Sequence, residues 1–162
     1  MKKISYLFIL FIILINIGAC TGYKPIFGSS NLEFKITDYS ISGDKNLGKQ
    51  IYAKLYNLSK SAKKNSDTKN IYLLINLSKE KKATAKDSAG KILGYRINLS
   101  ASITIKDVMR GDKILSENFF FSSTYKAQDQ YFDTVKLEKQ TTENLIENLY
   151  QDLLIKLSAN LL

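Results

Sequence analysis

The spacing of apolar residues changes along this chain from two to three or four and back, and the order of these changes limits the folds it can form. From residue 32 to 41 apolar and charged side chains alternate, which predicts a half-buried strand. From residue 45 to 62 apolar residues recur every three or four positions, which predicts a helix with one apolar stripe. The stripe consists of Leu47, Ile51, Leu55 and Leu58. Asp44 precedes the helix and is a residue type that caps helices.

Three further strands and a second helix are predicted after a polar stretch. The strands span residues 70–78, 93–106 and 114–125. Residues 110–113, Arg-Gly-Asp-Lys, form a turn between the last two strands, and a helical stripe covers residues 133–161. The polar run 79–91 holds five lysines. This run forms either a mobile tip or an extension of both flanking strands into a long hairpin.

The order strand, helix, strand, strand, strand, helix predicts an α+β fold. A helix between the first two strands implies a crossover and parallel pairing, whereas the last three strands form an antiparallel meander. Two amphipathic helices then cover one face of a four-stranded mixed sheet, which is a two-layer sandwich. Five polar residues are expected on the other face of the long strand: Arg96, Asn98, Ser100, Ser102 and Thr104. Phe119 and Phe121 are expected on one face and Phe120 on the other, and we interpret all three as core and edge packing.

The N-terminus has the features of an export signal. Lys2 and Lys3 precede an apolar run over residues 6–15, and small residues precede Cys20. The run is shorter than the roughly 20 residues of a membrane-spanning helix. The position of Cys20, the only cysteine, resembles the bacterial lipobox, in which the cysteine is acylated after cleavage.

This pattern divides the chain into three parts. We expect a lipoprotein signal peptide over 1–19, a lipidated tether over 20–31 and a single domain over 32–162. Several acyl chains make such an anchor stable in a membrane. An uncleaved N-terminal helix, or a secretory signal followed by a chance cysteine, remains the alternative.

The composition excludes several enzyme classes. The chain has no histidine, so Ser-His-Asp and Cys-His catalysis are ruled out. Lipidation of Cys20 removes the only thiol, and no phosphate-binding glycine motif is present. A carboxylate pair or a Ser-Lys pair stays open, but none stands out by spacing. We expect no enzymatic activity, no cofactor and no metal, and export argues against nucleic acid as the partner of a chain with net charge +9.

At this point the chain resembles the LPS-assembly lipoprotein (LptE) family of alphaproteobacterial type. Residues 20–28, CTGYKPIFG, match the family's Cys-Gly-aromatic-x-Pro-aliphatic-aromatic-Gly segment, with Thr21 as one extra residue. The Ser-x-Tyr at 123–125 and the long C-terminal helix also follow the family layout. The resemblance implies a non-catalytic protein on the periplasmic face of the outer membrane. Its implied partners are the LptD barrel, whose lumen it partly fills, and lipopolysaccharide.

Cationic residues near the long hairpin are candidates for contact with an anionic lipid. These are Arg96, Arg110 and Lys113, since Arg pairs with phosphate bidentately and Lys as a point charge. The lysines of 79–91 form a second candidate patch, and solvated surface charge is the alternative for both. Other functions left open are an auxiliary lipoprotein of an envelope lipid-transport (ABC-type) system, a lipid-anchored carboxylate hydrolase and a structural envelope lipoprotein.

Overall fold

A computed structural model describes residues 32–61 and 68–161 of the chain. In chain order the elements are β1 (Phe34–Gly43), α1 (Lys45–Ser61), β2 (Lys69–Lys86), β3 (Ile92–Asp107), β4 (Lys113–Lys126) and α2 (Tyr131–Leu161). The predicted order and the α+β fold class are therefore confirmed. The predicted signal peptide, Cys20 and the tether lie outside the described residues.

The four strands form one sheet in the order β1-β2-β3-β4. β1 pairs parallel with β2, and β2–β3 and β3–β4 pair antiparallel, as the sequence predicts. β1 reaches along β2 only as far as Leu77. From Ser78 onward β2 has β3 as its only partner strand among the described residues. We call the end with the β2–β3 turn the distal end, and the end with the β3–β4 turn the proximal end.

The polar run 79–91 extends the flanking strands into a long hairpin. β2 continues to Lys86 and pairs with β3 down to Ile92. The turn is closed by Asp87, whose Oδ1 accepts hydrogen bonds from the backbone N–H groups of Ala89 at 2.9 Å and Lys91 at 2.8 Å. This run has no alternating apolar residues that would bury one face. Its strand conformation is therefore maintained by backbone hydrogen bonds to β3 rather than by burial of side chains.

Strand β1 begins and ends two residues later than predicted, and it contains an irregularity that the sequence does not predict. The register with β2 shifts between Ile36 and Asp38. Before this bulge the side chains that face the core lie at even positions, such as Phe34. After it they lie at odd positions, such as Ile41, which lies beside Ile75. Thr37 donates a side-chain hydrogen bond to the carbonyl of Ile71 at 3.1 Å, which satisfies a polar group at the bulge.

The turn from β1 into α1 requires a glycine. Gly43 has a φ of 74°, and a Cβ there would lie 2.1 Å from the carbonyl oxygen of Leu77. The next residue, Asp44, accepts hydrogen bonds from the backbone N–H groups of Asn46 and Leu47, both at 3.1 Å. The predicted N-cap of α1 is confirmed. At this point the chain turns from β1 into the helix that leads back to the start of β2.

Both helices pack on the same face of the sheet. A Cβ at Gly48 of α1 would lie 2.5 Å from a methyl group of Ile41, so this glycine lets the helix approach β1 closely. Lys156 of α2 lies over the ring of Phe119, 5.2 Å from its centroid. The core between the two layers is mostly aliphatic, with Phe34, Phe119 and Tyr125 as its buried aromatic residues, and the predicted helical stripes are buried in it. The buried stripe residues are Leu47, Ile51, Leu55, Leu58, Leu145, Ile146, Leu149, Leu153 and Leu157.

Candidate functional site

The three predicted lipid-contact residues lie at opposite ends of the sheet. Arg96 is near the distal end of β3, whereas Arg110 and Lys113 belong to the proximal turn. The strand from Arg96 to Asp107 alone spans about 36 Å. The structure therefore does not bring the three residues into one site. They share a hairpin in sequence, but the length of β3 separates them.

The proximal turn is an ordinary tight connection. The Oδ1 atom of Asp107 accepts hydrogen bonds from the backbone N–H groups of Met109 at 2.8 Å and Arg110 at 3.2 Å. Gly111 has a φ of 75°, which suits a glycine at the turn. Met109 is 81% exposed beside these cations. Arg110 and Lys113 are thus exposed turn residues with no convergent geometry.

On the helix side of the distal end, Glu138 of α2 gathers two lysines and a tyrosine. Its carboxylate lies 2.5 Å from the Nζ of Lys81 and 3.5 Å from the Nζ of Lys79. The Tyr125 hydroxyl donates to the same carboxylate at 3.2 Å. The Lys81 ammonium also lies 4.2 Å from the ring centroid of Tyr95, which stacks on Tyr125. Two of the five lysines in the run, Lys79 and Lys81, therefore contact α2 through ion pairs.

The charges of this cluster shift one another's pKa. Burial disfavours the charged form of Glu138, but Lys81, Lys79 and the Tyr125 hydroxyl outweigh it and hold the pKa of Glu138 below its usual value. Burial likewise opposes the charge of Lys81, and the bonds to Glu138 and Tyr125 overcome it and raise the pKa of Lys81 to about 12. Glu138 and Lys81 therefore form a charged pair between the helix layer and the sheet at neutral pH.

The opposite face of the sheet carries no helix, and we call it the open face. Side chains directly opposite one another on adjacent strands form rungs across it. Arg96 lies in a rung with Lys82 and Thr124 near the distal end. Lys82 pairs with Glu80 at 3.0 Å, but the Arg96 side chain makes no ion pair with any residue of 32–61 or 68–161. Arg96 is the one predicted contact residue that the structure leaves free on a broad surface.

Three adjacent rungs in the middle of the open face contain no charge, and we call the two of them that line a depression the neutral field. One rung is Asn76, Ser102 and Asn118, and the next is Ser78, Ser100 and Phe120. They line a shallow depression of about 330 Å³. Phe120 is 67% exposed there, so its interpretation as a packing residue is wrong. The alternation of Phe119, Phe120 and Phe121 already indicates an outward Phe120, and the prediction missed what that exposure means.

Two further carboxylates of the structure, those of Glu117 and Glu147, are held in ion pairs with lysines. Glu117 pairs with Lys156 at 2.8 Å and Glu147 with Lys54 at 2.7 Å. Hydrogen bonds from Lys54 and Gln151 hold the pKa of Glu147 below its usual value. A carboxylic acid that protonates a leaving group needs a raised pKa instead. The described residues hold no cluster of side chains suited to a metal ion. This geometry does not favour the carboxylate hydrolase.

The helices of the structure are also short of the apolar length that a bilayer requires. Neither α1 nor α2 has a stretch apolar and long enough to cross a membrane, within the part of the chain that the structure describes.

Solved structures with the same fold are bacterial lipoproteins. A minor lipoprotein from Acinetobacter baumannii matches with a TM-score of 0.52 and 17% identity, over 76% of this chain and 91% of that one. Rare lipoprotein B from Shewanella oneidensis matches with a TM-score of 0.50 and 14% identity, over 75% and 93%. An uncharacterized lipoprotein B from Nitrosomonas europaea matches with a TM-score of 0.53 and 11% identity, over 77% and 81%. No family model and no curated protein matches the sequence. At these identities the likeness shows the fold.

Proposed function

We propose that this chain is an outer-membrane lipoprotein, anchored on the periplasmic face through Cys20, that partners the LptD barrel and assists lipopolysaccharide assembly without catalysis. The observation that carries the proposal is the fold, which is shared with bacterial lipoproteins that match over most of their length. The CTGYKPIFG segment at 20–28 supports the same assignment from the sequence.

The surface supports a role inside a barrel lumen. Large outer-membrane barrels have a polar interior, so a protein that fills one needs a polar surface. The open face meets this need, because seven of its side chains around the centre are Ser, Thr or Asn. These are Asn76, Ser78, Ser100, Ser102, Thr104, Ser116 and Asn118.

The distal end supplies the charge that a phosphorylated lipid requires. The guanidinium of Arg96 is free of ion pairs among the residues that the structure describes. Arginine binds phosphate in a bidentate manner, and exposed cations attract anionic lipid over a Debye length. The net charge is +9 for the full chain and +7 once Lys2 and Lys3 leave with the signal peptide (9 − 2 = 7), and it favours such a ligand over a cationic one.

The test is co-purification of the tagged, full-length lipoprotein from detergent-solubilised envelopes. We expect a large outer-membrane barrel as the main partner. The Cys20→Ser variant should incorporate no radiolabelled palmitate while its domain still folds. Capture of an inner-membrane transporter would instead support the auxiliary lipoprotein of an ABC-type system. Palmitate incorporation that persists in Cys20→Ser would refute the anchor.

A further inference from the structure

The neutral field on the open face differs from the rest of this charged chain in its composition, which is uncharged and hydroxyl-rich around one exposed aromatic ring. In a chain with 24 Lys and Arg and 15 Asp and Glu, two adjacent three-residue rungs carry no formal charge. Hydroxyl and amide groups in it can both donate and accept hydrogen bonds. The side chains of Ser78, Ser100 and Ser102 make no hydrogen bond within 32–61 and 68–161, so their capacity is available to a ligand.

The chemistry of the neutral field discriminates among ligand classes. A protein interface has an aromatic and apolar centre, but here Phe120 is the only apolar side chain in six positions. A nucleic acid or a bare phosphate requires cations, and the two rungs have none. A sugar ring matches both components, since its hydroxyls bond to polar side chains and its C–H face packs on an aromatic ring.

We propose that the neutral field binds uncharged sugar residues of a glycan, with one sugar ring packed on Phe120 and its hydroxyls bonded to the flanking serines and asparagines. The shape agrees with this ligand. The depression of about 330 Å³ lies at the small end of the range for ligand sites. It exists because the short side chain of Ser100 lies directly opposite the large ring of Phe120.

The cationic rung of Arg96 lies on the same face, about 13 Å from Ser100 along β3. A glycan that carries a phosphate at this separation contacts both places at once. This extension rests on the proposed function, in which the glycan belongs to lipopolysaccharide. The neutral field by itself requires only uncharged sugar.

The first experiment measures binding of an acyl-free, dephosphorylated lipopolysaccharide oligosaccharide that lacks sugar acids to the full-length lipoprotein in detergent micelles by calorimetry. We expect Phe120→Ala to weaken binding about tenfold, since an aromatic contact of this kind contributes about that factor. Phe132→Ala is the matched control, because Phe132 is also exposed (73%) but lies on α2, and it should leave the affinity unchanged. Equal affinities of the two variants, or no binding by the unaltered protein, would overturn the proposal.

A second pair of variants tests the charged rung. With the phosphorylated oligosaccharide, Arg96→Gln should weaken binding and flatten its salt dependence, whereas Arg110→Gln at the proximal end should do neither. With the dephosphorylated probe both variants should bind like the unaltered protein. If Arg96→Gln weakens the two probes equally, the assignment of sugar and phosphate to separate rungs is wrong.

The failure of this proposal is distinguishable from the failure of the proposed function. If sugar binding depends on Phe120 but no barrel is captured, the glycan site is supported and the barrel partnership is refuted. Capture of the barrel without sugar binding would do the reverse. Loss of barrel capture in Phe120→Ala, with no sugar binding in any form, would identify the face as a protein interface and refute the glycan site.

Discussion

Glu138 joins α2 to the distal half of the sheet through charge. It lies on a helix and contacts both Lys81 of β2 and Tyr125 of β4, at 2.5 and 3.2 Å. We expect Glu138→Gln to lower the free energy of unfolding by about 1.5 kcal/mol, since charged hydrogen bonds contribute about that much. Glu143→Gln is the control, because its pair with Lys139 is long, at 3.9 Å, and exposed. It should cost less than about 0.5 kcal/mol in denaturant unfolding.

The same carboxylate gives stability a pH dependence. The pKa of Glu138 is lower in the folded protein than its ordinary value of 4.5. Its contribution is therefore complete above pH 4.5 and is lost as the pH falls through the folded pKa. In urea unfolding from about pH 6 to about pH 3, the free energy of unfolding should fall less steeply in Glu138→Gln than in the unaltered protein. Parallel curves would contradict this assignment.

Substitutions at Gly43 and Gly90 distinguish the free-energy cost of a steric clash from the cost of placing a residue with a Cβ at a positive φ. Both have positive φ values, 74° and 84°, but only at Gly43 would a Cβ meet backbone, at 2.1 Å from Leu77. Nothing lies within 4 Å of a Cβ at Gly90. We expect Gly90→Ala to cost roughly 1 kcal/mol and Gly43→Ala roughly 3 kcal/mol in denaturant unfolding. Equal losses would show that the β1–α1 turn yields without strain.

At the scale of elements, the distal hairpin is the least supported part of the sheet. Residues 78–86 of β2 have one partner strand, whereas residues 71–77 lie between β1 and β3. An edge leaves alternate backbone N–H groups unpaired, and such regions open locally at low free energy. Amide hydrogen exchange should therefore be faster over 78–86 than over 71–77. Uniform protection along β2 would mean that another segment covers this edge.

The elements also show how far the sequence predicts the fold. The helical stripes and the Asp44 cap are local signals, and both predictions are confirmed. The shift at Ile36 is invisible in the sequence, because Thr37 fits either phase of a strand. Run 79–91 stays ambiguous because it has no alternating apolar residues, so the backbone pairing that extends the hairpin leaves no pattern in the sequence. The separation of Arg96 from Arg110 follows from the length of β3, and the grouping of the two failed for that reason.

At the scale of the whole molecule, the chain enters the domain at the proximal end. Leu32 precedes the start of β1, which pairs with the start of β2. The distal end is far from this entry point, because β2 has 18 residues and is about 60 Å long. If Cys20 carries the anchor, the twelve residues 20–31 reach at most about 43 Å. A tether that is shorter than the sheet therefore favours an orientation with the proximal turn nearer to the membrane than the distal turn.

This orientation is measurable because a lipidated Cys20 leaves no other thiol in the chain. We expect a fluorophore on Met109→Cys, in the proximal turn, to transfer energy efficiently to acceptor-labelled lipid headgroups in vesicles. The same fluorophore on Ala89→Cys, in the distal turn, should transfer much less, since it lies a full strand length further out. Adding Cys20→Ser to each variant is the control and should abolish both signals. Stronger transfer from Ala89→Cys than from Met109→Cys would mean that the domain lies inverted on the bilayer, with the cationic rung of Arg96 directed at the membrane that carries the anchor.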